Sequence, residues 1–131
     1  MESRISNNLG TVQGVVNEIE KRKRLFGNAS MGEVMRVVKE DGVTRKIVSA
    51  GLVRVGDRKE LVPVLSTRPF KLFSAHHKDG YKVQQVYDLL KRCNDDTLIL
   101  VDGSSFTYAK LIGKDAEKNS QYGCFKIQKW K

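Results

Sequence analysis

The sequence predicts an α+β domain, two helices packed on antiparallel β-meanders in the order α-β-β-β-α-β-β-β. Three observations carry that expectation. Two stretches place apolar residues at i, i+3, i+4 and i+7, the period of an amphipathic helix. Each is followed by Val-, Ile- or aromatic-rich segments of strand length. Each set of strands also contains an Asp-Gly pair, a dipeptide suited to tight hairpin turns.

The first helical pattern starts at Thr11, whose hydroxyl is a suitable N-cap, with Asn8 as an alternative. Val12, Val15, Val16 and Ile19 form its apolar stripe, and Gly14 inside it lowers helix propensity. The helix runs into Lys21-Arg22-Lys23-Arg24, cations that complement its C-terminal dipole, and Gly27-Asn28 is the expected stop. Glu33–Lys39 reads as a strand leading into Asp41-Gly42. Val43–Val55 reads as one long strand, with a bulge at Ala50-Gly51. After a turn at Gly56–Lys59, the strand Glu60–Leu65 contains Pro63, which lacks a ladder N–H and so predicts an edge position.

Residues 66–80 read as irregular, with Phe70, Leu72 and Phe73 turned into the core. Asp79 is the expected N-cap of a second helix, Tyr81–Cys93, striped by Val83, Val86, Tyr87 and Leu90 and closed by Lys91 and Arg92. Asn94–Asp96 ends it. The final meander is Thr97–Val101, Phe106–Ile112 and Tyr122–Trp130. The first of these strands is apolar throughout, so it is expected to be central and covered on both faces. In the second, Phe106, Tyr108 and Ile112 share a face.

With 131 residues and 40% apolar content, the chain suits a single globular domain. Residues 1–10 are expected to be a flexible N-terminus, and 11–131 one α+β domain. The repeated helix-then-meander order raises the possibility of a pseudo-repeat, 11–65 and 81–131, although residue similarity between the halves is weak. The N-terminus has no signal-peptide pattern, and no apolar run approaches a membrane span. An intracellular protein, in the cytoplasm or a nucleoid or nucleus, is therefore expected. Cys93 and Cys124 belong to no CxxC pair and are expected to be reduced and buried; a disulfide between them is open only in an oxidising compartment.

Charge is the most informative feature. Lys and Arg number 24 against 15 Asp and Glu, a net charge of +9. The excess is shared by both halves, so any binding surface has to be assembled by the fold. Such a balance raises the local concentration of polyanions. Three basic groups are candidates for phosphate contact: the tetrad Lys21, Arg22, Lys23 and Arg24; the strand and turn group Arg36, Arg45, Lys46, Arg54, Arg58 and Lys59; and the C-terminal Lys126 and Lys129. Arg36 and Arg45 are expected to share a cross-strand row if the hairpin register permits. Trp130, among the C-terminal lysines, is a candidate stacking platform for bases. Ordinary explanations compete: dipole complementation for the tetrad, and packing for the aromatics.

Chemistry is poorly supported. His76 and His77 are adjacent, so in extended chain they point opposite ways, and only Asp79 stands nearby. Asp95, Asp96 and Asp102 sit where turns favour Asp. No phosphate-loop pattern occurs. No cofactor or metal is expected. The leading expectation is a non-enzymatic nucleic-acid-binding protein, DNA or RNA, held mainly by phosphate contacts. The alternative is a structural or adaptor protein docking on another protein. A small enzyme using a histidine with a carboxylate ranks last.

Overall fold

The computed structural model describes residues 10–38, 43–57, 60–69, 77–105, 108–112 and 124–128. Helix α1, Val12–Phe26, opens where expected: the Thr11 hydroxyl accepts a hydrogen bond from the Gly14 N–H at 3.1 Å. A cap of that kind contributes about 1 kcal/mol. Val12, Val15, Val16 and Ile19 are all buried, and Gly27 closes the helix through its N–H to the Lys23 carbonyl. A 3-10 turn, Asn28–Gly32, follows.

Eight strands are seen among the described residues: β1 Arg36–Val38, β2 Thr44–Lys46, β3 Ser49–Val55, β4 Glu60–Ser66, β5 Leu100–Val101, β6 Ser104–Ser105, β7 Tyr108–Ile112 and β8 Cys124–Gln128. Helix α2, Val83–Leu90, lies between β4 and β5. The α+β class and the alternation of helix and strands are as the sequence implies. The strands, however, do not form one meander per half. They build two four-stranded sheets, ordered β2-β1-β8-β7 and β3-β4-β5-β6. Each sheet joins a hairpin from the first half to one from the second through a parallel pair, β1 with β8 and β4 with β5.

The expected long strand Val43–Val55 is therefore two strands in two sheets. The break falls at Ile47-Val48, whose carbonyls accept from the Tyr81 and His77 N–H groups of the loop before α2. There is no bulge at Ala50-Gly51, because β3 pairs with β4 without interruption from Ser49↔Ser66 to Val55↔Glu60. The final meander divides likewise, β5 and β6 going to one sheet and β7 and β8 to the other.

Two further expectations are corrected. Strand β4 is interior in its sheet, not an edge; Pro63 is tolerated because β5 pairs only with Val64 and Leu65, leaving the preceding half of β4 without that ladder. Nor is Thr97–Val101 covered on both faces. Thr97, Ile99 and Val101 are buried while Leu98 is 49% exposed, the alternation of a half-buried segment.

Helix α2 starts later than expected. Residues 81–82 are held extended: Met35 N–H donates to the Tyr81 carbonyl, Val83 N–H to the Glu33 carbonyl, and Val34 bridges Lys82. Lys82, not Asp79, occupies the N-cap position, its N–H satisfied by Gln85 Oε1 at 2.8 Å. Asp79 is exposed in the preceding turn.

One core unites these parts. The α1 stripe, Met35 and Val37 of the β1 segment, Ile47, Leu65, Val83, Val86, Leu90, Ile99 and Val101 form a single buried cluster. Across it, Tyr87 Oη on α2 donates to Glu20 Oε2 on α1 at 2.9 Å. That hydrogen bond, with burial and the nearby carboxylates, raises the phenol above its ordinary value of about 10. A raised folded value stabilises the fold below the unfolded phenol value and loses that contribution as pH rises through the folded one. Tyr87→Phe should thus flatten the alkaline fall in Tm seen in a pH series of thermal melts. A Tm profile unchanged from wild type above pH of about 10 would remove the α1–α2 tie from this account.

The expected flexible residues 1–9, the core candidates Phe70, Leu72 and Phe73, His76, Phe106, and the basic or aromatic positions Arg58, Lys59, Lys129 and Trp130 lie outside the described residues.

Candidate nucleic-acid interface

The sheet β2-β1-β8-β7 is unusually basic for its size. Its strands read Arg-Val-Val, Thr-Arg-Lys, Tyr-Ala-Lys-Leu-Ile and Cys-Phe-Lys-Ile-Gln, with five cations and no carboxylate. In the other sheet Arg54 is offset by Glu60.

Register sorts these cations onto faces. Arg36 pairs with Lys46 on one side and Lys126 on the other, and Lys126 pairs with Lys110. The result is one cross-strand row, Lys46–Arg36–Lys126–Lys110, with a basic residue on every strand. Residues paired in register share a face, and successive residues alternate. The next row, Arg45–Val37–Ile127–Ala109, therefore belongs to the opposite face. Val37 is fully buried in the core, so that face is the inner one, towards α1, which also contacts β7. The Lys46–Arg36 row lies on the outer face. Of its members with described side chains, Lys46 is exposed and Arg36 half-buried. Strands lie about 4.8 Å apart, so the four positions span about 14 Å.

This overturns the expectation that Arg36 and Arg45 share a row. Arg45 pairs with Val37 and Lys46 takes its place beside Arg36. A one-residue difference in register moves every side chain to the other face. Lys110 was not among the expected contacts. Its period-2 relation to Tyr108 is visible in the sequence, but its alignment with Arg36 depends on a parallel pairing that no local pattern encodes.

The Lys46 end of the row is bordered by close packing. Gly80, at φ +98°, sits against Val34 and the stem of Lys46: a Cβ built on it would lie 2.5 Å from Val34 Cγ1 and 3.2 Å from Lys46 Cβ. The loop carrying Gly80 is itself anchored by the His77 N–H to Val48 and by the His77 ring against Tyr81, centroids 4.3 Å apart.

The remaining basic candidates are not gathered here. Arg22 is fully buried on α1, while Lys21, Lys23 and Arg24 are exposed on that helix. Arg54 is exposed on β3 of the other sheet.

The other sheet carries a different surface. A groove of about 460 Å³ is lined by Val55, Val62, Leu98 and Leu100, with Glu60 and Asp96 beside them. Thr97 Oγ1 donates to Glu60 Oε2 at 2.9 Å, which holds that carboxylate in place.

Several of the residues considered for chemistry make structural contacts. Asp102, at φ +52°, accepts from the Thr67 N–H at 2.8 Å and the Thr67 hydroxyl at 2.9 Å, tying the end of β4 to the β5–β6 turn. The Asp95 carbonyl accepts from the Gln13 N–H at the start of α1. Cys93 is a free thiol, half-buried; burial pushes it up and the opposing pull of Arg92 does not cancel this, the reverse of an activated nucleophile. Among the described residues, no three His, Cys, Asp or Glu side chains gather as metal ligands, and no helix is long and apolar enough to cross a membrane.

No protein-family model, curated protein or solved structure matches the chain.

Proposed function

We propose that this protein is a nucleic-acid-binding domain without catalytic activity, and that its interface is the outer face of the β2-β1-β8-β7 sheet. The row Lys46–Arg36–Lys126–Lys110 is the observation that carries this. Four cations on four adjacent strands, in a sheet with no carboxylate, form a line of positive charge that suits a phosphate backbone. Overall net charge of +9 adds attraction at longer range. Phosphate contact of this kind fits binding to DNA or RNA within the cell and needs no cofactor.

A salt series on the purified chain tests it. With four phosphate contacts, log affinity should fall with log salt at a slope of about −3 to −4. That is a loss of about 100-fold between about 50 and 200 mM salt. An affinity flat across that range, or no binding at low salt, would overturn the proposal.

A second reading, an adaptor that docks on another protein, is favoured by the groove on the other sheet. Val55 and Leu98, which both line it, are 43% and 49% exposed. Absence of nucleic-acid binding would shift weight to this reading.

A further inference from the structure

We infer that the groove on the β3-β4-β5-β6 sheet is a contact site for a second copy of this chain. The part of the copy it takes is the C-terminal end of helix α1, with Leu25 entering between Val55, Val62, Leu98 and Leu100. The inference does not rest on the nucleic-acid reading of the basic sheet.

The groove exists because two neighbouring segments part. Strands β4 and β5 pair only at Val64↔Leu100 and Leu65↔Val101. Just before β5 the chain turns to the start of α1 instead: Leu98 bridges Thr11, and the Ile99 N–H donates to the Gly10 carbonyl. The opening between these segments is the groove of about 460 Å³. Leu98 and Leu100 line it, while Ile99 and Val101 are buried in the core.

Its rim is acidic in a chain of net charge +9. Glu60 and Asp96 both line the groove, and among the described residues neither forms an ion pair. The Thr97 hydroxyl engages Glu60 Oε2 and fixes that carboxylate at the wall. Arg54 pairs with Leu61, one position from the Val55↔Glu60 pair, and so belongs to the other face of the sheet. Such a rim repels a phosphate backbone. It favours an apolar group flanked by cations.

Helix α1 carries that group. Among the described residues Leu25 is the most exposed large apolar side chain, at 61%. Lys21, one turn back on the same side of the helix, and the adjacent Arg24 are exposed cations. Glu18, the carboxylate on that side, lies two turns back, about 10 Å from Leu25. Glu20 is already tied to Tyr87.

The fold keeps the two matching patches apart. Thr11, the N-cap of α1, bridges Leu98 at the groove, and Leu25 is near the far end of this 15-residue helix. At about 1.5 Å per residue that separation is about 20 Å. A chain cannot fill its own groove with Leu25, so the match is made between copies. Two different patches meet, and copies accordingly close as a pair or ring, or run on as a chain.

The experiment is sedimentation of the full chain, freed of nucleic acid, from about 10 µM to about 1 mM, the range suited to a small interface. The average mass should rise with concentration, and less steeply as salt screens the rim. Leu25→Gln and Leu98→Thr should each weaken self-association at least about tenfold, the worth of one buried leucine. Both positions are exposed, and thermal melts report the fold; should Leu98→Thr melt early, Val55→Thr on the opposite wall takes its place. The decisive step mixes the two variants. Leu25→Gln keeps an intact groove and Leu98→Thr an intact Leu25, so the mixture should form a one-to-one complex that neither forms alone. A chain that stays monomeric throughout would overturn the inference. So would association that survives Leu25→Gln, or that is lost in both variants and not recovered on mixing, since the latter means that like patches meet.

Discussion

Replacing Arg36 and Lys46 together by Glu is expected to weaken nucleic-acid binding at least about 100-fold at low salt. Each charge-assisted hydrogen bond lost contributes about 1.5–3 kcal/mol, so two give a loss of that order. The two new carboxylates add repulsion within the row. The salt slope should also become shallower by about 1.5 to 2, because two fewer phosphates are neutralised. The control is Arg24→Glu with Arg54→Glu. It changes the net charge by the same amount, but Arg24 lies on α1 and Arg54 on the other sheet. Through long-range attraction alone that pair should cost only a few-fold, less at physiological salt. Both double variants should fold, since Lys46, Arg24 and Arg54 are exposed and Arg36 is half-buried. Equal losses from the two pairs would mean that the charge acts as a diffuse field and not as a row.

What the sequence made legible was local. The α1 stripe, its Thr11 cap and its stop at Gly27 could be read directly, because all the interactions that define them lie within a few residues of one another. The β3–β4 hairpin turn and the class of the fold were legible for the same reason. What failed was long-range. Whether Arg36 stands beside Arg45 or Lys46 depends on a shift of one residue, which the hydrophobic pattern of so short a strand does not fix. The splitting of Val43–Val55 is set by carbonyls that bond to a loop 30 residues downstream. The same loop overrode the helical signal at Tyr81-Lys82 by pairing with residues 33–35. The candidate interface depends on these non-local pairings throughout. Its members Arg36 and Lys46 were recognised as basic candidates, and Lys126 too, but only the parallel β1–β8 pair puts them in line with Lys110.

Gly80→Ala should destabilise the fold by about 2–5 kcal/mol, although the residue belongs to a turn and carries no side chain. Two costs combine. At φ +98° an L-residue is strained by about 1–2 kcal/mol. The new methyl would also meet Val34 Cγ1 at 2.5 Å and Lys46 Cβ at 3.2 Å, and such overpacking costs about 1–3 kcal/mol more. Gly56→Ala separates the two. Gly56 is also at positive φ, +75°, yet a Cβ there meets nothing within 4 Å among the described residues. It should carry the conformational cost alone. In thermal melts Gly80→Ala should therefore fall roughly 10 °C below wild type, and Gly56→Ala by only a third to a half of that. The difference also bears on the interface, because Lys46 belongs to the basic row and Gly80 packs against its stem. Relief of the clash requires Val34, the Lys46 stem or the loop to move, so Gly80→Ala should weaken nucleic-acid binding as well, while Gly56→Ala should not. Equal melting temperatures for the two variants would mean that Gly80 does not pack on Val34 and Lys46 as described.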